Sequence, residues 1–355
     1  MSPSSPILHL DLRPHSRNQV TDLRPLLEGA VARGDLPRTH QYFCISHHTT
    51  AGFPDRQLRL RIGSDAEGLD KFLEALRNIF PPEAGYEHDE LQRRTELSEA
   101  QRAREPLNAD AHLAFIGGGF TNCVFHSAGS GEPLWFVDFD GTYQTRGGET
   151  IRRQRRVTIL ALDEEVVGAR LQFEVPVPEG AAALPLSRPE LGILRAVERA
   201  LEEMEISIGR LHFHLEDPHA GAGITVNEAE ALLIQRDLVD VLTSPLRFAA
   251  GGNRGDAEEE SSREAGARGL ARALEALGFS PERRERLLSR ALSSASPRVL
   301  RIRGDASLGV APAPGDLPGG PGRILLGRYQ SPILLQRTGT PEGIRRFSVI
   351  IHPFR

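Results

Sequence analysis

The sequence has little cysteine, only Cys44 and Cys123, and neither belongs to a CxxC spacing. Each sits inside an apolar run, so both are expected to be buried, reduced thiols rather than a disulfide or thiolate ligands. Lysine is scarcer still, with Lys71 the single example, so almost all positive charge is arginine. A net charge of −5 supplies no basic field and argues against a nucleic-acid surface. No apolar run approaches the length of a membrane span, and "MSPSSPILHLDLRPHSRNQ" lacks the basic start and apolar core of a secretory leader. A cytoplasmic protein with a small-molecule substrate, no nucleic acid and no membrane partner is expected.

What is present is material for two cores. The 355 residues, 39% apolar and 26% charged, suit two globular domains. "VTDLRPLLEGAVARG" (20–34) and "SDAEGLDKFLEALRNIF" (64–80) space apolar side chains at helical intervals, with Thr21 or Asp22 and Gly34 placed to end the first. Strand-like runs include "HQYFCIS", "PLWFVDFDG" and "RRVTILALD". The second half repeats the order, with a helix at 190–207, the strand "GRLHFHLED", a helix at 227–242 and the closing strand "IRRFSVIIHPF". "IRRQRRVTILALD" and "GIRRFSVIIHPFR" share an Arg-Arg entry into an alternating strand, which turns parallel order into suspected duplication. Domains are expected at 1–164 and 165–355, the second carrying a charged insertion near 253–296.

Three short stretches carry chemistry. "SHHTTAGF" (46–53) puts two imidazoles where a strand runs out, so His47 or His48 is a metal ligand or base, or else one faces solvent and the threonines cap the turn. Alternation from Cys44 through Ser46 turns His48 inward and His47 the other way. "GYEHDEL" offers His88 from a polar loop. In "PLNADAHLAF", Asn108, Asp110 and His112 alternate as a strand entry would require to share one face. "IRRQRRV" (Arg152, Arg153, Arg155, Arg156) reads first as a solvated strand start and second as a phosphate holder. "LHFHLED" places His212, His214 and Glu216 on one strand face like the metal strand of a cupin, but Glu216 comes too soon and the later Gly-Pro-Gly-His pattern is missing.

"HHTTAG", "YEHDE", "LNADAHL" and "FVDFDG", in this order, resemble the YjbQ family, also called secondary thiamine-phosphate synthase, across nearly all of residues 8–163. "DPHAGAGITVNEAEALLIQRDLVDVL", with His219, Asn227 and Glu228, and "GRILLGRYQSPILL", with Tyr329 and Gln330, are similar to other segments of the same family. The resemblance implies an α+β fold of two tandem YjbQ-like β-sandwich domains with flanking helices, and a possible homo-oligomer. Departures are complementary. The first copy has "GFPDRQ" for the family's I-N-E segment, lacks its G-x-x-Q element, and has Pro106 and Leu107 for E-G. The second has Ala220 and Gly221 for the threonines and "RGDASLG" for N-A-D-A-H. Pockets shared between the halves would leave at most one histidine-rich site per chain.

In that site His48, His88 and His112 are expected to converge on one divalent metal ion, zinc or similar. Asn108, Asp110 and Asp140 are the catalytic candidates, Asp110 as orienting group or base and Asp140 to steady positive charge. The resemblance implies a reaction that joins a pyrimidine diphosphate to a thiazole phosphate. Two readings stand: a metal-dependent enzyme on a small phosphorylated or heterocyclic substrate, and a catalytically inactive metal- or ligand-binding protein with a degenerate duplicated fold.

Overall fold

Asp65 opens one helix by accepting a hydrogen bond from the Gly68 amide, and Gly34 closes another in the left-handed conformation (φ 80°) that its missing Cβ permits. These local signals hold in the computed structural model, which describes residues 6–62, 65–145, 148–216, 221–243, 275, 280, 301–313 and 320–355. The first half runs β1 (Ile7–Leu12), β2 (Gln19–Asp22), α1 (Arg24–Arg33), β3 (Gln41–Ser46), β4 (Ala51–Pro54), α2 (Arg56–Ile62) and α3 (Ala66–Ile79). It continues through α4 (Glu99–Arg102), α5 (Ala109–Gly117), β5 (Phe120–Thr121), β6 (Cys123–Ser127), β7 (Trp135–Asp138), β8 (Thr142–Gln144), β9 (Thr150–Arg152) and β10 (Arg155–Leu162). The second half has β11 (Ala169–Pro176), β12 (Ala182–Pro185), α6 (Ile193–Glu203), β13 (Gly209–Leu215) and β14 (Ala222–Glu228). A widened π-helical turn, Leu233–Asp237, then leads into α7 (Leu238–Thr243), followed by β15 (Asp305–Ala311), β16 (Arg323–Leu325), β17 (Gln330–Gln336) and β18 (Ile344–Pro353).

Strand order shows the duplication. One sheet of the first half is ordered β1-β10-β3-β6, and its counterpart in the second is β11-β18-β13-β15 with β16 added at the edge. The companion sheets are β2-β7-β4-β5 and β12-β17-β14. All pairs within these sheets are antiparallel, and each half is a sandwich. Tyr42, Cys44, Phe53, Phe136, Val157 and Ile159 fill the first, while Phe213, Ile224, Leu308, Phe347 and Val349 fill the second.

Two further cores join the halves. Phe43, Ile45, Leu160 and Leu162 pack toward Ala311, Leu325 and Phe354 between the larger sheets. Leu113, Phe115 and Trp135 share a cluster with Leu233, Leu238, Ile333 and Leu335. The run "QYFCI" is apolar at successive positions because both faces of β3 are buried, one in its own sandwich and one against the other half. Both cysteines are free and buried.

The topology corrects one sequence alignment. "RGDASLG" runs into β15, which pairs with β13 as β6 pairs with β3, so it matches the strand after α5 and not N-A-D-A-H itself. His219 and, apart from Glu275 and Ser280, the expected insertion near 253–296 lie outside the described residues. Among the described residues no helix is long and apolar enough to cross a membrane.

Candidate functional site

The turn between β3 and β4 is held from both halves. Gln330 Nε2 donates to the carbonyls of Ser46 (3.0 Å) and His48 (2.9 Å), and Asn122 Nδ2 donates to His48 O at 2.6 Å. Both imidazoles reach strand β10. His47 Nε2 lies 2.7 Å from Thr158 Oγ1, while His48 Nε2 accepts the Arg156 amide at 2.6 Å. Accepting there places the ring proton of His48 on Nδ1. Burial, with Arg155 beside it, pulls His48 down to about 3, and burial next to His9 pulls His47 to about 4.

Asn108, Asp110 and His112 are not a strand entry. The Asp89 carboxylate accepts the amides of Asn108 and Ala109, both at 3.0 Å, and so starts α5 at Ala109. On a helix the period is 3.6, so Asn108 and His112 share a face and Asp110 leaves it. Asp110 instead pairs with Arg17 at 2.6 Å; burial, opposed by Arg17, raises its carboxyl to about 6.

His88 is 1% exposed and lies at the middle of a chain of hydrogen bonds between the halves. Its Nδ1 meets Glu230 Oε2 at 2.9 Å and its Nε2 meets Asn108 Oδ1 at 3.3 Å. Asn108 Nδ2 donates to Asp140 Oδ2 at 2.9 Å, which fixes the amide so that Oδ1 faces the imidazole. Glu230 accepts the Leu232 and Leu233 amides, both at 2.8 Å, as a carboxylate. Both ring nitrogens of His88 therefore donate, and the ring is a cation. Burial works against that charge, but the Glu230 hydrogen bond and the Glu228 charge lift His88 above its ordinary value. Asp237 accepts the backbone amides of Glu87 and His88, each at 2.9 Å, so the second half also holds the loop.

His112 is the opposite case. Asn227 Nδ2 donates to Thr49 O at 2.6 Å, turning Asn227 Oδ1 toward His112 Nδ1 at 2.7 Å. Nδ1 must carry the proton, leaving a lone pair on Nε2. That atom is buried, has no hydrogen-bond partner, and stands 3.4 Å from Glu228 Oε2. Burial and the His88 cation hold His112 well below its ordinary value, and burial raises Glu228 against the pull of His88 and Arg94.

These commitments do not fit a cation shared by His48, His88 and His112. His88 spends both nitrogens as donors, and the lone pair of His48 is taken by Arg156; only His112 Nε2 is bare. Among the described residues no group of three or more His, Cys, Asp or Glu side chains could hold a metal ion. A three-histidine centre needs a converging lone pair from each ring, and this hydrogen bonding removes two of them. The cupin-like face also holds none: His214 is exposed, and Glu216 pairs with Arg170 at 3.0 Å.

The network borders two adjoining cavities, of about 530 and about 1300 Å³, with Glu105, Tyr143, Arg153, Glu228, Arg328 and Tyr329 lining both. His48, Asn108, Asp140 and Arg152 line the smaller one, and Arg104 the larger. In the "IRRQRRV" run Arg152 and Arg156 are exposed, as a solvated strand start requires, but Arg153 and Arg155 are not. Arg153 pairs with Asp140, and buried Arg155 forms a fork on Asp138 at 2.7 and 2.8 Å. Glu230, Asp237 and Arg94 carried no motif signal; Asn227, Glu228 and Gln330 were visible only through the family resemblance.

No family model and no curated protein matches this chain. Solved structures do. One is a YbjQ-like protein of unknown function from Sulfolobus solfataricus P2, 15% identical, covering 54% of this chain and 99% of that one, with a TM-score of 0.29. A hypothetical protein from Aeropyrum pernix K1 is 17% identical over 52% of this chain and 98% of its own (TM-score 0.28). An uncharacterized conserved protein of the YjbQ/UPF0047 family from Clostridium acetobutylicum is 14% identical over 51% and 98% (TM-score 0.25). Each of these structures aligns with about half of this chain. These proteins are described as hypothetical, uncharacterized or of unknown function, so no side-chain role comes with them.

Proposed function

We propose that this YjbQ-like protein is an enzyme acting on a small phosphorylated substrate in the cleft between its halves. The observation that carries the reading is the Glu228–His112 pair: a carboxyl raised by burial lines both cavities, 3.4 Å from a bare, buried imidazole nitrogen. A carboxyl whose proton affinity is raised beside an imidazole whose affinity is lowered suits general acid and base work at a substrate that touches Glu228. Asn227 fixes the tautomer that makes the exchange run through Nε2.

Anion binding follows from the arginines. Among the described residues Arg104, Arg152 and Arg328 line these cavities with no carboxylate partner, and Arg328 stacks over the Tyr329 ring at 5.1 Å. Guanidinium forks match phosphate oxygens. The joining of a pyrimidine diphosphate to a thiazole phosphate falls within this substrate class and is the first reaction to assay.

The test pairs binding with turnover across a panel of phosphorylated heterocycles. Glu228→Gln is expected to abolish turnover while phosphate still raises the melting temperature; Arg328→Ala is expected to reduce that protection. Protection without turnover in the wild type would favour a binding protein without chemistry. Neither protection nor turnover would overturn the reading.

A further inference from the structure

The Asp140 carboxylate is engaged on one oxygen only. Oδ2 accepts from Asn108 Nδ2 and from the Arg153 guanidinium, whereas Oδ1 is buried with no hydrogen-bond partner. The residue is 1% exposed and lines the smaller cavity. Buried carboxylate oxygens without a donor are uncommon, because leaving one unmet costs about 1–3 kcal/mol or more.

Its surroundings keep Oδ1 from finding a donor within the chain. The Asp140 amide donates to Asp138 Oδ1 at 2.9 Å, and Arg155 donates to the Asp140 carbonyl at 2.7 Å, so the backbone is tied on both sides. Asn108 donates to Oδ2, its own oxygen is turned to His88, and it makes no hydrogen bond to Asp140 Oδ1. Elsewhere in the same cavity, exposed Arg152 and Arg328 have no carboxylate partner among the described residues. One cavity thus has a buried unmet acceptor and, on its exposed side, two guanidinium groups.

We propose that the cleft takes a ligand of mixed charge, with an amine- or amidine-type N–H donor seated on Asp140 Oδ1 and an anionic group held by Arg152 and Arg328. The proposal rests on the anion-binding reading above and adds the second pole. A simple polyanion leaves Oδ1 unmet, and a cation alone faces Arg152, Arg153 and Arg328. A cavity of about 530 Å³ is of the size that encloses a small molecule.

The experiment is calorimetric titration of the full chain with aminoalkyl phosphates of increasing length, each beside the alkyl phosphate of the same length. At the best length the amino compound is expected to bind about tenfold tighter, the scale of one hydrogen bond to a charged group. Trimethylating that amine, which keeps the charge and removes every N–H, is expected to remove the gain. Asp140→Asn is expected to remove it too while phosphate affinity stays the same or rises. Equal affinities for amino and plain compounds at every length, or a gain that survives trimethylation, would overturn the mixed-charge proposal alone. Failure of every phosphate to bind would overturn the anion-binding reading with it. Should Asp140→Asn not fold, the trimethylated compound on the wild type still decides.

Discussion

Asn227 Nδ2 donates to the Thr49 carbonyl at 2.6 Å, and this bond from the second half to the first decides which nitrogen of His112 carries the proton. With the amide turned that way, only Oδ1 is left to face the imidazole. Nitrogen-15 NMR of the ring is expected to show a protonated Nδ1 and a bare Nε2. Asn227→Ala removes the acceptor from a fully buried imidazole and is expected to cost about 1–3 kcal/mol by denaturant unfolding. An unchanged ring spectrum in that variant would show that Asn227 does not set the tautomer.

The His88–Glu230 pair predicts a pH dependence with a definite sign. His88 is raised and Glu230 lowered by their hydrogen bond, burial working against both. Below about pH 6.5 the imidazole is charged folded or unfolded and the pair contributes in full; that contribution fades as pH rises through the raised folded value. Asp237, pushed up to about 7 by burial, moves the same way, so the comparison with a variant carries the test. Glu230→Gln is expected to flatten the alkaline loss of stability and, below it, to cost about 3–5 kcal/mol, the scale for breaking a buried pair. Urea midpoints across neutral to alkaline pH would check this, and parallel curves for the two proteins would refute it.

Asp55 ties the halves at a second place. It accepts from Arg301 at 2.9 and 3.0 Å, pairs with Arg303, and accepts the Leu58 amide at the start of α2 at 2.6 Å. Asp55→Ala is expected to cost about 2 kcal/mol, from a lost helix start and partly screened ion pairs. Guanidinium or urea melts would measure it; no loss would mean that the two arginines re-pair elsewhere.

Gly52 and Gly223 occupy matching places in β4 and β14. A Cβ on Gly52 would press on the Thr121 carbonyl and the Phe115 ring, and one on Gly223 on the Arg303 carbonyl and Ile302. In each half the segment entering the next sheet strand crosses directly over the glycine. Either change to alanine is expected to cost about 1–3 kcal/mol by overpacking. Thermal melts of the two variants should shift alike, and a silent Gly223→Ala would count against the close crossing.

Local signals were legible where the chain answers to itself. The strand-like run "QYFCI" and the turn after it, the closing glycine Gly34, and the repeated element order all read correctly because strand, turn and helix signals act within a few residues. "NADAH" misled because polar groups two apart also occur at a helix start, and the residue that starts this helix, Asp89, is 19 positions away from Asn108. What the hydrogen bonding says about the expected three-histidine centre was out of reach of the sequence for a longer-range reason. An imidazole becomes ligand, acid or cation according to its partners, and Glu230 lies 142 positions from His88, Asn227 115 from His112. Arg153 and Arg155 looked solvated because nothing nearby announces the buried Asp140 and Asp138.

Because Gln330 pins the turn of His48 and Glu230 pairs with the His88 cation, the arrangement in the first half is finished only by residues of the second. During synthesis the emerging first half carries two histidines, His88 and His112, whose partners Glu230 and Asn227 do not yet exist. A gene divided in the connection between β10 and β11 would give two fragments, each with a complete sandwich and neither with a complete site. Association of the two fragments on mixing would report the docking of the halves directly.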